Sequence, residues 1–154
     1  MNIHFIKTPE KRRIIEKLNE QFGIETLPYL LIESGKEKIR AFSGHLSKDE
    51  IKIIGEIANI ETLGLYLLKE ENGEFRLSLD ASLLLSKQLT KNIIEINDEE
   101  YQLWARGHNL SITKPRGVYV IKYKEDFIGC GKSNEEIIFN YVPKDRRLKT
   151  QINR

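Results

Sequence analysis

The C-terminal third of the chain carries the pattern of a β-hairpin. Residues 117–123 alternate in two sets, Val118, Val120 and Lys122 against Tyr119, Ile121 and Tyr123. Alternation with a period of two is typical of a strand that buries one of its faces. A second apolar run at residues 127–130 follows the polar turn at 124–126. The two runs are therefore predicted to pair as antiparallel strands.

Two further hairpins precede this one. The dipeptide Asn72-Gly73 separates strand-like runs at residues 64–69 and 74–78, and it is a strong signal for a two-residue turn. Ser34-Gly35 separates similar runs at residues 29–33 and 38–42. Residues 92–96 and 137–141 are predicted as single strands.

Helices are predicted between these strands. The first spans Pro9–Phe22, with Thr8 as its cap and Gly23 at its end. Ser47 and Glu50 have the spacing of a capping box, which opens a second helix. The other helices cover residues 80–89 and 98–105, the latter capped by Asn97 or Asp98. Residues 1–60 are therefore predicted as a compact α/β unit that ends at a seam over residues 59–62.

The composition narrows the class of protein. The 154 residues are 40% hydrophobic and 31% charged, which is typical of a soluble globular chain. No apolar run approaches the roughly 20 residues that a membrane span needs, and the N-terminus does not have the charge pattern of a signal peptide. The single cysteine, Cys130, excludes internal disulfides and the usual thiolate zinc clusters. We expect a cytoplasmic protein.

The charges are distributed unevenly along the chain. Residues 1–100 carry 14 Lys and Arg against 18 Asp and Glu, whereas residues 101–154 carry 11 against 5. A basic C-terminal third is one sign of a module that binds a polyanion. The alternative is an uneven surface without functional meaning.

Catalytic patterns are weak in this sequence. The three histidines, His4, His45 and His108, have unrelated spacings and match no metal-ligand motif. Residues 131–133 resemble the end of a phosphate-binding loop, but Asp126 stands where that loop needs glycine. Cys130 is best explained as a small residue in a tight strand. No cofactor and no metal are predicted.

Nucleic-acid binding has better support. The basic tail, residues 143–154, could neutralise phosphates. Gly107 lies between Arg106 and His108 at the predicted end of a helix, where a partner can approach the backbone closely. Four aromatic residues could stack on unpaired bases: Trp104, Tyr119, Tyr123 and Tyr141. Alternatively, Trp104 belongs to the core, the tyrosines cover a sheet, and the tail is solvated without a partner.

Several short motifs occur in a fixed order between Trp104 and Arg147. They are Arg106-Gly107, Gly117 with Tyr123, Gly129-Cys130-Gly131-Lys132, and Asn140 to Arg147 with Pro143-Lys144 inside it. This ordered set resembles the PUA-like RNA-binding module at the C-terminus of RsmF and related Nop/Sun-type RNA 5-methylcytosine methyltransferases. Residues 1–60 do not resemble the methyltransferase body of that family, and its pair of cysteines is missing. The two-part layout is also similar to that of the Nip-type ribosome-assembly factors.

The resemblance implies an α+β fold, in which a small N-terminal α/β domain (1–60) precedes a PUA-like mixed β-barrel with short helices (61–154). It implies a non-catalytic protein that binds structured RNA, tRNA or rRNA, in RNA modification or ribosome biogenesis. The partner is RNA, with a separately encoded modifying enzyme as a second one. The expected RNA-binding residues are Arg106, Gly107, His108, Lys132, Tyr141, Lys144, Arg146, Arg147 and Lys149.

Two other functions remain open on the sequence alone. A PUA-like adaptor could recruit an RNA-processing enzyme through its acidic N-terminal unit. An RNA-modifying enzyme could use His108 or Cys130.

Overall fold

The computed structural model describes residues 4–35, 37–42, 47–57 and 64–149. They form nine strands, β1 (His4–Phe5), β2 (Leu30–Ser34), β3 (Lys38–Phe42), β4 (Leu65–Glu71), β5 (Glu74–Leu77), β6 (Ile93–Glu95), β7 (Gly117–Tyr123), β8 (Asp126–Ser133) and β9 (Ile138–Asn140). The α-helices are α1 (Thr8–Phe22), α2 (Lys48–Ile57), α3 (Leu79–Leu84) and α4 (Asp98–Ala105). The seam predicted at residues 59–62 and the end of the basic tail, residues 150–154, lie outside the described residues.

Local signals account for the ends of the helices. Gly23 ends α1 in the left-handed conformation, with φ of 87°, which glycine adopts without strain. Ser47 and Glu50 exchange the two hydrogen bonds of a capping box at the start of α2. Asn97 and Glu100 do the same for α4. The prediction of Thr8 as the cap of α1 is wrong by one residue. Lys7 is the N-cap residue, and its side chain makes no capping hydrogen bond.

The first sheet has the strand order β1-β2-β3-β4-β5, and every neighbouring pair is antiparallel. Its two predicted hairpins are confirmed. Asn72 and Gly73 both have positive φ, 52° and 79°, as a tight hairpin turn between β4 and β5 requires. Helix α1 packs one face of this sheet through its buried side chains Ile14, Leu18 and Phe22.

The second sheet has the order β6-β7-β8-β9. Strands β6 and β7 are parallel, and the connection between them contains α4. The predicted hairpin of β7 and β8 is confirmed, and β9 extends it on the other side. Gly131 of β8 allows close packing. A Cβ at Gly131 would overlap Ile138 and stand 2.8 Å from the Trp104 ring.

The main hydrophobic core lies between the two sheets. It combines α1 and first-sheet residues such as Leu68 and Phe75 with Val120 and Phe127 of the second sheet. A second, smaller cluster surrounds Trp104 on the other face of the second sheet. The free energy of burying these side chains therefore stabilises both sheets together.

The strand ladders correct the expectation of a β-barrel. The described strands form two separate sheets, and no ladder joins β5 to β7 or β8, although these strands pack against each other. The physical reason is that β7 pairs with β6 and β8, and β8 pairs with β7 and β9, so neither strand has a free hydrogen-bonding edge left for β5. The fold is a mixed α and β arrangement of two sheets with four α-helices among the described residues.

The pairing of β3 with β4 also crosses the predicted boundary between residues 60 and 61. The division into an N-terminal domain (1–60) and a C-terminal domain (61–154) remains a prediction. Among the described helices, none has the length and apolar character needed to cross a membrane.

Candidate nucleic-acid interface

The C-terminal segment, defined here as residues 140–149, is docked on the end of α4. The Asn140 side-chain amide donates to the backbone carbonyls of Trp104 and His108, at 2.8 and 3.0 Å. The backbone N–H of Leu148 donates to the Ala105 carbonyl at 2.7 Å. The bond from Leu148 satisfies the carbonyl of Ala105, the last residue of α4, which a helix end leaves without an intrahelical partner. The segment is therefore held beside the turn at residues 106–108.

The need for a glycine at position 107 is explained by packing within the chain. Its φ is 92°, and a Cβ there would overlap the guanidinium of Arg147. Arg147 in turn donates from Nε to the Val142 carbonyl at 2.9 Å and is only partly exposed. The open backbone at Gly107 was predicted to admit a partner, and in this structure the Arg147 side chain occupies that space.

The two neighbours of Gly107, Arg106 and His108, differ in how accessible their side chains are to a binding partner. Arg106 folds back along α4, and its guanidinium donates to the backbone and side-chain oxygens of Gln102 at 2.8 and 2.7 Å. His108 is exposed. Arg106 of this turn and Arg147 of the adjacent segment are therefore both engaged with protein oxygens.

The side chain of Lys132 lies on the face of the second sheet opposite to the face that carries Trp104. It stands opposite Val118 and Phe139, whereas its neighbour Gly131 stands opposite Asn140 and contacts Trp104. Because successive residues of a strand point to opposite faces, the structure does not bring the Lys132 side chain to the turn at 106–108.

Tyr141 lines a cleft that the sequence did not predict. The guanidinium of Arg76, on β5, stands 3.8 Å from the centre of the Tyr141 ring. The cleft has a volume of about 140 Å³. Its lining consists of residues from β4, β5, the start of α3 and the C-terminal segment: Tyr66, Arg76, Leu77, Ser78, Leu79, Asp80, Tyr141, Pro143 and Arg146.

Arg146 lines this cleft and is paired with an acid that also lines it. Its guanidinium nitrogen Nη1 donates to both carboxylate oxygens of Asp80, at 3.0 and 3.1 Å. Both side chains are about two-fifths exposed, so solvent weakens the pair and a phosphate can compete with the carboxylate. Lys144 and Lys149 are exposed on the same segment.

Tyr66 also lines this cleft. Burial raises the pKa of its hydroxyl above the usual range, and the neighbouring Arg76 partly offsets that rise. The phenol therefore remains neutral and a hydrogen-bond donor at physiological pH. Alternation along β5 could have placed Arg76 on the exposed face, but no local signal links it to a tyrosine 65 positions later.

The other aromatic candidates serve the fold. Trp104 is fully buried, and its indole N–H donates to the Ile128 carbonyl at 3.0 Å, which confirms the core alternative. Tyr123 stacks on Tyr101 with ring centres 4.0 Å apart. Its hydroxyl donates to Asp98 at 2.8 Å, a bond that raises the pKa of the phenol.

Away from this interface, three possible metal ligands converge. His4, Glu10 and Glu33 each offer one ligand atom, and these atoms lie within 4.8 Å of one another. His4 is exposed, and its imidazole approaches Glu10 at 3.7 Å. This geometry also suits a simple surface ion pair.

Cys130 is buried in β8, as predicted for a packing residue. Burial raises the pKa of its thiol to about 12, and only the thiolate is a good nucleophile. We expect the native thiol to react with a disulfide reagent at pH 8 far more slowly than the unfolded chain does. A native rate equal to that of the unfolded chain would contradict the burial.

The raised pKa of the Cys130 thiol also makes the free energy of unfolding depend on pH. Above the ordinary thiol value, the unfolded chain loses a proton that the folded chain keeps, so the free energy of unfolding should fall as pH rises toward 12. Comparison of the parent with Cys130→Ala across this range isolates that contribution.

Comparison with known protein families gives a match over the C-terminal part. The family model described as the PUA domain of methyltransferase RsmF matches residues 91–148. This range includes α4, the turn at 106–108, β7 to β9 and most of the C-terminal segment. A comparison with curated proteins found no match.

Comparison with solved structures gives matches over nearly the whole chain. A conserved PUA domain protein from Thermoplasma acidophilum aligns with a TM-score of 0.59 at 16% sequence identity, covering 91% of this chain and 93% of that one. A PUA domain from Aeropyrum pernix K1, solved as a tartrate complex, aligns with a TM-score of 0.49 at 12% identity, covering 93% and 86%. The first of these similarities supports a shared fold.

Proposed function

Because residues 91–148 form a PUA-like module, we propose that this protein is a non-catalytic RNA-binding protein that recognises structured RNA, either tRNA or rRNA. RNA binding in general is what this domain family indicates. The bound RNA would be presented to a separately encoded modifying enzyme, or held during ribosome assembly, in the cytoplasm. Shape and phosphate contacts would supply most of the affinity for a folded RNA.

The observation that carries this proposal is the cleft beside Tyr141. It combines an exposed aromatic ring with the guanidinium groups of Arg76 and Arg146. Aromatic rings stack on unpaired bases, and cations neutralise the adjoining phosphates. The cleft is lined by the same C-terminal segment that falls within the family match.

Each predicted residue receives a role in this proposal. Lys144 and Lys149 contact phosphates directly, and Arg146 does so on release from Asp80. His108 and Arg106 border the RNA at the turn after α4, and Lys132 contacts it from the other face of the second sheet. Gly107 and Arg147 act through each other, since their packing holds the C-terminal segment in place.

The test is a salt series of fluorescence anisotropy titrations with a tRNA and an rRNA fragment. It compares the parent with Lys144→Glu/Lys149→Glu, which leaves the internal bonds of Arg146 and Arg147 intact. Loss of phosphate contacts should weaken binding to every RNA and reduce the slope of log affinity against log salt by about one per contact.

The matched control is Lys87→Glu/Lys91→Glu, which makes the same charge change at two exposed lysines after α3. We expect it to retain most of the parent's salt slope. Background affinity of the parent, or equal losses in both variants, would contradict the proposed interface. Weak RNA binding together with a co-purifying enzyme would favour the adaptor alternative.

A further inference from the structure

A row of cations crosses the outer face of the first sheet and ends at Arg76, which lines the cleft beside Tyr141. The strand registers place Lys38 of β3 opposite Lys69 of β4, and Lys69 opposite Arg76 of β5. Partners in register share a sheet face. Lys38 is exposed, while Lys69 and Arg76 are partly exposed.

This arrangement works against stability. Like charges directly opposite each other in neighbouring strands are destabilising. Two carboxylates follow on the same face, Glu71 and Glu74, which stand opposite each other in the register. Of these, Glu71 approaches Arg76 at 3.6 Å. Glu70, the other acid at this end of β4, instead approaches Arg13 and Lys17 of α1 on the other face, at 3.5 and 3.8 Å. A positive row that costs folding free energy fits a surface that receives an anion.

An aromatic ring lies within the same surface. Tyr66 stands opposite Arg40 in the register of β3 and β4. The Lys38 ammonium and the Arg40 guanidinium lie 5.6 and 5.9 Å from the centre of its ring. Tyr66 also lines the cleft that contains Arg76 and Tyr141. The outer face of the sheet therefore leads directly into that cleft.

We infer that the outer face of β3, β4 and β5 binds an unpaired stretch of RNA, which continues into the cleft beside Tyr141. This inference rests on the proposed RNA-binding function and assigns it a substrate class, structured RNA with a single-stranded extension. The phosphates of the extension contact Lys38, Lys69 and Arg76. A base at its end stacks on Tyr141.

The chemistry of the surface favours single-stranded RNA over a duplex. Neighbouring strands are about 4.8 Å apart, so the three cations form a short track that follows one backbone. The rings of Tyr66 and Tyr141 lie beside that track. Flat apolar faces contribute to binding only when bases are unstacked and free to reach them.

The experiment uses two RNA duplexes of identical sequence, one blunt and one with a short unpaired extension. The parent should bind the extended duplex more tightly than the blunt one. Lys38→Gln/Lys69→Gln should remove this difference and leave the affinity for the blunt duplex unchanged. The salt slope for the extended duplex should fall by about 0.7 per lost phosphate contact.

Two further variants separate the contributions. Tyr141→Ala should reduce the gain from the extension without changing the salt slope, because it removes a stacking face and no charge. Lys87→Gln/Lys91→Gln, the neutralising control, should retain the full gain. Thermal unfolding should show Lys38→Gln/Lys69→Gln to be at least as stable as the parent, since it removes like-charge repulsion.

Equal affinity of the parent for both duplexes overturns this inference and leaves the proposed function standing. Equal weakening of both duplexes in Lys38→Gln/Lys69→Gln also overturns it, because the face would then bind duplex. Background affinity for both duplexes overturns the proposed function itself. A further outcome is that the variant loses binding to a polyglutamate peptide and keeps its binding to RNA. That result would assign the face to an acidic protein segment and overturn this inference.

Discussion

Replacement of Trp104 by alanine is expected to lower the free energy of unfolding by about 3–5 kcal/mol. The indole is fully buried, and it packs against the bare backbone of Gly131 within the smaller hydrophobic cluster. Truncation leaves a cavity there, and it leaves the Ile128 carbonyl without its donor. Chemical denaturation followed by circular dichroism measures the loss.

The neighbouring residue provides the control for this prediction. Leu103 is also in α4 but is 47% exposed, so Leu103→Ala should change the free energy of unfolding by less than about 0.5 kcal/mol. A cost below about 1 kcal/mol for Trp104→Ala would mean that the smaller cluster collapses around the truncated side chain.

Asn140→Asp is expected to cost about 2–4 kcal/mol, although the two side chains have the same shape. The amide donates to the carbonyls of Trp104 and His108, and a carboxylate cannot donate to either. The introduced negative charge would also lie at the C-terminal end of α4, where the helix dipole disfavours it. The acceptor role toward the Val142 N–H would be kept.

Asn134→Asp is the matched control. The Asn134 side chain accepts from the backbone N–H groups of Glu136 and Ile137 at 2.9 Å, and a carboxylate accepts equally well. Its cost should be small. Equal losses in the two variants would contradict the assigned role of Asn140 as a donor.

The pH dependence gives a second measurement for Asn140→Asp. Two facing carbonyls disfavour the charged form, so the folded protein would hold the introduced proton more tightly than the unfolded chain does. The defect should therefore shrink as pH falls toward the ordinary aspartate value of about 3.9. A defect that stays constant over this range would contradict the argument from the two carbonyls.

Sequence patterns predicted the local features well because those features depend on neighbouring residues. The Asn72-Gly73 turn, the capping box of α2, the Asn97 cap of α4 and the left-handed Gly23 each follow from a few adjacent side chains. The resemblance over Trp104 to Arg147 likewise identified the PUA-like module, which the family match confirms.

Contacts between distant parts of the chain could not be predicted in this way. The pairing of Arg76 with Tyr141 joins β5 to the C-terminal segment, and no periodicity encodes it. The expected barrel failed for a similar reason, because β6 and β9 occupy the remaining edges of β7 and β8, and the spacing of apolar residues does not show which edges are occupied. The contact of Arg147 with Gly107 could likewise not be predicted from the spacing of residues in the sequence.

The motif that revealed the module turns out to describe its internal packing. Gly107 receives Arg147, Gly131 receives Trp104, and Asn140 ties the segment to α4. Such a motif works as a signature of shape, and chains that share it can differ in the nucleic acid they select. Selectivity would then evolve at positions that the motif leaves unconstrained, such as Arg76 and Lys69. A substitution there changes which nucleic acid is bound and leaves the packing of the module unchanged. A search for relatives with the same target should therefore compare these positions rather than the motif itself.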